Sequence, residues 1–254
     1  MKRALKGILQ YFGYQLRRTP KAATWAGAQL HNCPYYDQTV LLGAEKVQTV
    51  LDLGAHVGQT AERYRGCFPR AKIISFEPFP ESFAACQKAA EKLQPMDVYA
   101  LAAADEIGSR TFYLTSFSAR NSLLRLDESK TDLFPAEWSK RAGEIKVEAT
   151  TLDTFCRDKN IDRVDILKMD IQGGELQALR GAKELLARQA IDAVFLEVSF
   201  EATYDGHPLF FELYRFLHEA GFVLFDLYNC LKGTTNMALV EGDALFIRKT
   251  ILEK

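Results

Sequence analysis

A doubly wound α/β sheet is the fold class that this 254-residue sequence predicts, and three observations predict it. Short apolar runs alternate with helical stretches along most of the chain, the pattern of strands joined by covering helices. The first run, ending Val50-Leu51-Asp52-Leu53, passes directly into a loop with closely spaced glycines, Gly54 and Gly58, and then into a helix. No internal repeat or low-complexity tract interrupts the series, and the length suits one core. One domain is therefore expected over residues 45–254, preceded by an N-terminal segment, 1–44.

Within that segment Leu5, Ile8, Leu9, Phe12 and Leu16 fall at helical spacing, ringed by Lys2, Arg3, Lys6, Arg17 and Arg18. Such a stripe suits a helix lying on an anionic membrane surface. It equally suits a helix packed on the domain or on a second copy in a homodimer, and Gly7 and Gly13 weaken it as a helix. A polar connection follows through Pro34. The first strand is expected at 47–53, a helix opens at 60–64, and the second strand covers 72–76. A helix over 81–93 carries Phe83, Ala84 and Ala90 inward, and a third strand spans 97–103. Extra strands are expected at 111–114 and 146–150, and the series closes with 164–169, 193–198, 222–227 and 244–248.

Bulk properties exclude some classes of function. With 32 Lys and Arg against 33 Asp and Glu, the chain has no basic stripe for a nucleic-acid partner. The five cysteines, Cys33, Cys67, Cys86, Cys156 and Cys230, show no paired metal-ligand spacing and read as reduced, mostly packed thiols of a cytoplasmic protein. No run is apolar enough to span a bilayer, and no signal-peptide core opens the chain.

The loop after the first strand carries the first chemistry. Asp52, Gly54, Ala55, His56, Val57, Gly58 and Thr60 form a nucleoside-binding loop, with glycines where a backbone must approach a ligand closely. Glu77-Pro78 closes the second strand, where a carboxylate accepts hydrogen bonds from two ribose hydroxyls. Ala102 and Ala103, ending the third strand, join this cofactor set. A dinucleotide fingerprint needs a third glycine that is missing here, and Asp52 would repel a pyrophosphate but favour the ammonium of a methionine moiety. S-adenosylmethionine thus fits better than NAD. The competing classes are an NAD-dependent oxidoreductase and a noncatalytic S-adenosylmethionine-binding partner protein.

A second cluster runs from Asp165 through Lys168, Asp170, Gln172, Gly173, Gly174 and Glu175 into the helical residues Leu176 and Leu179. Asp170 ends a strand at the edge where open α/β sheets bind ligands, so it also belongs to the cofactor set. Glu175 falls in the first turn of the next helix, where its charge suits the dipole.

The ordered pieces D-L-G-A-x-x-G-x-T, F-E-P, T-L-D, I-L-K-M-D-I-Q-G-G-E-L-x-x-L-x-G-A, F-L-E-V and D-A-L-F-I-R together resemble the FkbM family of S-adenosylmethionine-dependent methyltransferases. They are residues 52–60, 76–78, 151–153, 166–182, 195–198 and 243–248, and the resemblance extends over about 45–249. It implies a Rossmann-like class I methyltransferase sheet, mostly parallel with an antiparallel last strand. It also implies O-methylation of a hydroxyl on a sugar, glycan precursor or natural product. Two departures stand beside the expected cleft: His56 where the family usually carries Asn, and Gln172 where Glu is frequent. The histidine can still offer a hydrogen bond from either ring nitrogen, so cofactor binding is expected to survive, with room for a pH dependence near neutrality.

Methyl transfer to an alcohol needs a group to take the acceptor proton. Asp170, Glu197 and His207 are the candidates, each at or beyond a carboxyl strand end. Lys168 alternates onto the face of Asp170 and either pairs with a carboxylate or polarises the acceptor. Asp170 and Glu197 on adjacent strand ends would suit a divalent cation, but Val198 and Ser199 leave Glu197 without a neighbouring third ligand, so metal-independent transfer is expected. Substrate contacts are expected from Asn121, Ser122, Lys168, Glu175 and Tyr204. The loops are 116–145, a lid or accessory subdomain with Ser118, Arg120 and Trp138, then 200–208, and 228–241 with Tyr228, Asn229 and Lys232.

Overall fold

The computed structural model describes residues 33–133, 138, 140–233 and 237–253; the amphipathic stripe at 5–16 lies outside them. Strand β1 (Thr49–Leu53) pairs in parallel with β2 (Lys72–Phe76) on one side and β7 (Val164–Met169) on the other. Strand β3 (Met96–Tyr99) extends the sheet beyond β2, and β8 (Ile191–Ser199) beyond β7. The last strand, β10 (Leu239–Arg248), inserts between β8 and β9 (Phe222–Lys232) and runs antiparallel to both. The order is therefore β3-β2-β1-β7-β8-β10-β9, the mostly parallel sheet with an antiparallel last strand that the sequence predicts.

The central strands are apolar on both faces because both faces are covered. Alternation sends Leu51, Leu53, Ile74, Phe76 and Leu167 into one core with Leu179, Leu185 and Leu213. Val50, Ile73 and Ile166 enter a second core with Ala61, Tyr64 and Cys86. Asp52 and Lys168 follow the same alternation onto this second face, so an ion pair is built into an apolar layer. Sheet order reverses between β1 and β7, and that switch point is where ligands bind such sheets.

Several elements differ from the sequence reading. The expected third strand breaks after Tyr99: Ala102–Ala103 (β4) leaves the main sheet and pairs with β6 (Arg141–Thr150). Together with β5 (Gly108–Thr115) these form a separate sheet of order β4-β6-β5. The loop expected over 116–145 is shortened accordingly and carries 3-10 turns at Ser118–Arg120 and Glu128–Leu133. The expected helix after Gly174 is two, α5 (Glu175–Arg180) and α6 (Lys183–Ala187), because Gly181 packs directly on the Ala104 carbonyl. A Cβ there would lie 2.2 Å from that oxygen. The T-L-D segment is structural: the Thr151 hydroxyl caps α4 (Leu152–Asp158), and the Asp153 carboxylate accepts from Glu184 and Leu185 N–H groups at the start of α6.

The expected N-terminal segment, 1–44, contains α1 (Pro34–Leu42) where the polar connection ends, with Pro34 in its first turn and Asp37 and Gln38 buried. Gln38 accepts a hydrogen bond from Tyr64 in α2 (Gln59–Cys67), and Asp37 accepts one from the Tyr228 hydroxyl at 2.7 Å. The helix is thus packed on the second core, before the expected boundary at 44. The loop expected over 228–241 is largely hairpin, since β9 runs to Lys232 and β10 begins at Leu239. Tyr228, expected to face substrate, is buried in the core. Of the cysteines Cys86 and Cys156 are buried, whereas Cys33 and Cys230 are exposed. Among the described residues no helix is long and apolar enough to cross a membrane.

Candidate active site

A cleft opens at the carboxyl ends of β1, β2 and β7. Gly54, His56, Glu77, Pro78, Ala102, Ala103, Asn121 and Asp170 line it, all expected from sequence. Ala55, Val57, Gly58 and Thr60 do not. Ala55 turns into the second core, Val57 faces solvent, and Gly58 packs on α3 (Pro80–Ala90), where a Cβ would meet that of Ala89 at 2.9 Å.

Gly54 has a physical role other than the one expected. Its φ is +77°, and a Cβ would lie 1.9 Å from the Asp170 carbonyl oxygen. The glycine therefore lets two strand-end loops touch, backbone to backbone, as well as lining the cleft.

Glu77 is tied to that junction. Its Oε2 accepts from the His56 N–H at 2.7 Å, and its Oε1 from the Phe79 N–H at 2.9 Å. Burial pushes its carboxyl up to about 7 despite these two donors. Each oxygen keeps acceptor capacity beyond its one backbone partner. The His56 ring, 2.9 Å through Nε2 from the Ser118 hydroxyl, joins the glycine loop to the loop after β5. Burial lowers its pKa from the usual histidine value.

Asp52 stands behind the cleft, not in it. It is fully buried, and its Oδ1 lies 3.4 Å from the Lys168 ammonium, which reaches Asp170 Oδ2 at 3.6 Å. Burial disfavours the lysine charge, but Asp170 and Asp52 outweigh it and raise the Lys168 pKa above the ordinary range. The ammonium that Asp52 meets is thus the protein's own, and the Lys168 side chain is spent on pairing.

Of the three base candidates only Asp170 lines the cleft. Glu197 sits behind Gln172, whose amide nitrogen donates to Glu197 Oε2 at 2.8 Å and to Asp170 Oδ1 at 3.1 Å. Burial first, then Asp170, Glu241 and Glu175, push the Glu197 carboxyl well above its usual range. His207 is buried against Gly173 and Tyr204, with Nδ1 accepting from the Thr203 N–H at 3.2 Å. Burial and the nearby Arg120 lower its pKa to about 4, which makes it a weak base.

The remaining substrate candidates hold the walls. Glu175 is buried, accepts from the Ile171 N–H at 2.9 Å, and is pushed by burial to about 7. Ser122 donates to the Gln172 carbonyl at 2.6 Å, and Asn121 accepts from the Thr115 N–H at 2.8 Å while still facing the cleft. The Tyr204 hydroxyl lies 2.8 Å from Gln172 Oε1 and 3.0 Å from the Arg120 carbonyl. Arg120 itself pairs with Glu241 at 3.7 Å.

Sequence reading missed much of the apolar lining, including Leu53, Phe76, Leu101 and Phe112, and placed Gln172 beside the cleft without giving it a role. The first three adjoin named residues, so strand neighbours of Gly54, Glu77 and Ala102 were a usable signal. Phe112 had none, because it arrives from the small sheet. Among the described residues no group of three or more His, Cys, Asp or Glu side chains converges as metal ligands.

Sheet order, glycine loop, strand-end acid and switch-point cleft define the class, an S-adenosylmethionine-dependent methyltransferase. The description "Methyltransferase FkbM domain" matches residues 52–224, more than half of the chain, and the chain belongs to that family. The 2-O-methyltransferase NoeI of Sinorhizobium fredii (strain NBRC 101917 / NGR234) is 28% identical over 173 residues, covering 66% of this chain and 70% of that protein. Methyltransferase sdnD of Sordaria araneosa is 28% identical over 157 residues, covering 53% and 60%. Among solved structures, magnesium protoporphyrin IX methyltransferase (ChlM) from Synechocystis PCC 6803, with bound SAM, aligns at a TM-score of 0.46 and 9% identity over 84% of this chain and 76% of that one.

Proposed function

We propose that this protein transfers the methyl group of S-adenosylmethionine to a hydroxyl oxygen of a sugar, glycan precursor or related natural product. The observation that carries the reading is the cleft itself, with the Glu77 carboxylate at one strand end and the Asp170 carboxylate at another. The residues fit the cofactor. Glu77 is a buried carboxylate with spare acceptor capacity, suited to a ribose diol. The apolar wall of Pro78, Leu101, Ala102, Ala103 and Phe112 suits an adenine ring.

When bound, S-adenosylmethionine supplies an already activated methyl group. The protein's share is to bind, to align and to take a proton. Asp170 faces the cleft with its side chain about half exposed, so it can reach a hydroxyl on an entering acceptor. Lys168 and Gln172 hold its two oxygens from behind. Ser118, Ala119 and Asn121 wall the cleft from the loop after β5. A relative that is a 2-O-methyltransferase supports oxygen as the acceptor atom. The chain's balanced charge favours a small molecule or glycan over nucleic acid.

The test is to incubate the protein with methyl-labelled S-adenosylmethionine and a panel of mono- and oligosaccharides and polyketide alcohols, then map label by mass spectrometry. Label on a hydroxyl oxygen is expected. Label only on nitrogen or carbon, or none on any panel member, contradicts the proposal.

A further inference from the structure

The sequence marked Gln172 only as a departure beside the expected cleft, without a role in the site, and its amide is fully engaged in the cleft wall. The side chain is buried on a backbone with φ +54°. Its nitrogen donates to Asp170 Oδ1 at 3.1 Å and to Glu197 Oε2 at 2.8 Å, and its oxygen lies 2.8 Å from the Tyr204 hydroxyl. An amide nitrogen has two hydrogens, and here each is directed at a carboxylate. The carboxylates also settle which end of the amide is which, because a reversed amide would set its oxygen against two acceptors.

One atom touches both carboxylates, so they are close enough to repel each other. Glu241 from β10 and Glu175 from α5 add negative charge around Glu197, while Arg120 opposes it and Lys168 opposes the charge of Asp170. Carboxylates this close are usually reconciled by a shared proton or by a hard cation. Here burial and Asp170 favour the protonated Glu197 carboxyl, and the neutral Gln172 amide fills the position between the two groups.

We propose that Gln172 takes the place of a divalent cation between Asp170 and Glu197, as the positioning residue that holds Asp170 toward the cleft. The role of Asp170 rests on the methyltransferase reading, but the bridge stands on the geometry alone. Replacing Gln172 by Glu removes both donors and adds a third carboxylate, the oxygen donor set that hard cations accept. Replacing it by Ala removes the donors and leaves the two carboxylates facing an open space that a hydrated cation can occupy.

The experiment titrates the full-length native protein, Gln172→Glu and Gln172→Ala with manganese chloride in a calorimeter, and each separately with S-adenosylhomocysteine. No saturable manganese binding is expected in the native protein. Gln172→Glu should bind the ion at least about tenfold more tightly, Gln172→Ala by a smaller margin, and Asp170→Asn added to either should abolish the gain. Equal manganese affinity in native and variant proteins overturns the proposal, as does the absence of any gain in a variant that circular dichroism shows to be folded. Failure of the native protein to bind S-adenosylhomocysteine would instead contradict the cofactor assignment and leave the manganese result to stand separately.

Discussion

Asp52 and Lys168 are residue types that invite a ligand and instead satisfy each other. Their pairing is buried, so removing one partner strands the other's charge in an apolar layer. Lys168→Met is expected to cost about 3–5 kcal/mol of stability, measured by urea unfolding. Glu175 gives a pH-dependent prediction. Burial raises its carboxyl from 4.5 to about 7 in the folded protein, so the native state holds an extra proton between those values. That contribution to stability is complete below pH 4.5 and is lost as pH rises through about 7. Glu175→Gln, which keeps the acceptor for Ile171 N–H, should flatten the corresponding fall in melting temperature. At this scale the sequence marked strand-end positions well, because alternation and strand ends are local properties. It offered pairing with a carboxylate as one of two roles for Lys168, which the ion pairs bear out, but it did not reveal that Asp52 and Glu175 would find protein partners, since those arrive from another strand or from a turn whose geometry the pattern does not encode.

The glycines separate at the level of elements. Gly54 and Gly206 both have left-handed φ values, +77° and +71°, but an added Cβ meets the Asp170 backbone at the first and nothing within 4 Å at the second. Gly54→Ala should therefore cost more than about 3 kcal/mol, or prevent folding. Gly206→Ala should cost only the roughly 1–2 kcal/mol of its backbone conformation. A pair of equal losses in chemical denaturation would contradict this account of the loop junction. The strands that were read with nearly correct bounds, β1, β2 and β7, are those whose apolar runs end in turn residues. The break after Tyr99 was hidden because Leu101, Ala102 and Ala103 continue the apolar run while changing sheets. The split between α5 and α6 was hidden for a different reason. Gly181 departs from the helix to meet Ala104, a contact across the fold that no periodicity announces.

Across the whole molecule, α1 is fastened to the sheet by the hydrogen bond from the Tyr228 hydroxyl to the buried Asp37. Tyr228→Phe deletes the donor and leaves that carboxylate oxygen without it, an expected loss of about 1–3 kcal/mol in urea unfolding. The doubly wound sheet and its antiparallel last strand were legible as a sequence of elements, and the switch-point cleft followed from their order. What closes the cleft was legible in part: Ser118 lies in the loop read as a lid or accessory subdomain, whereas Phe112 comes from the small sheet, which the pattern did not separate from the main one. The most direct test is calorimetric titration of the native protein and Glu77→Ala with S-adenosylmethionine, S-adenosylhomocysteine and NAD. The native protein should bind the first two and not NAD. Affinity should fall below pH of about 7 as the Glu77 carboxylate takes up a proton, and Glu77→Ala should lose about 1.5–3 kcal/mol of binding. Binding of NAD in preference to S-adenosylmethionine, or unchanged affinity in Glu77→Ala, would contradict the assignment of this cleft.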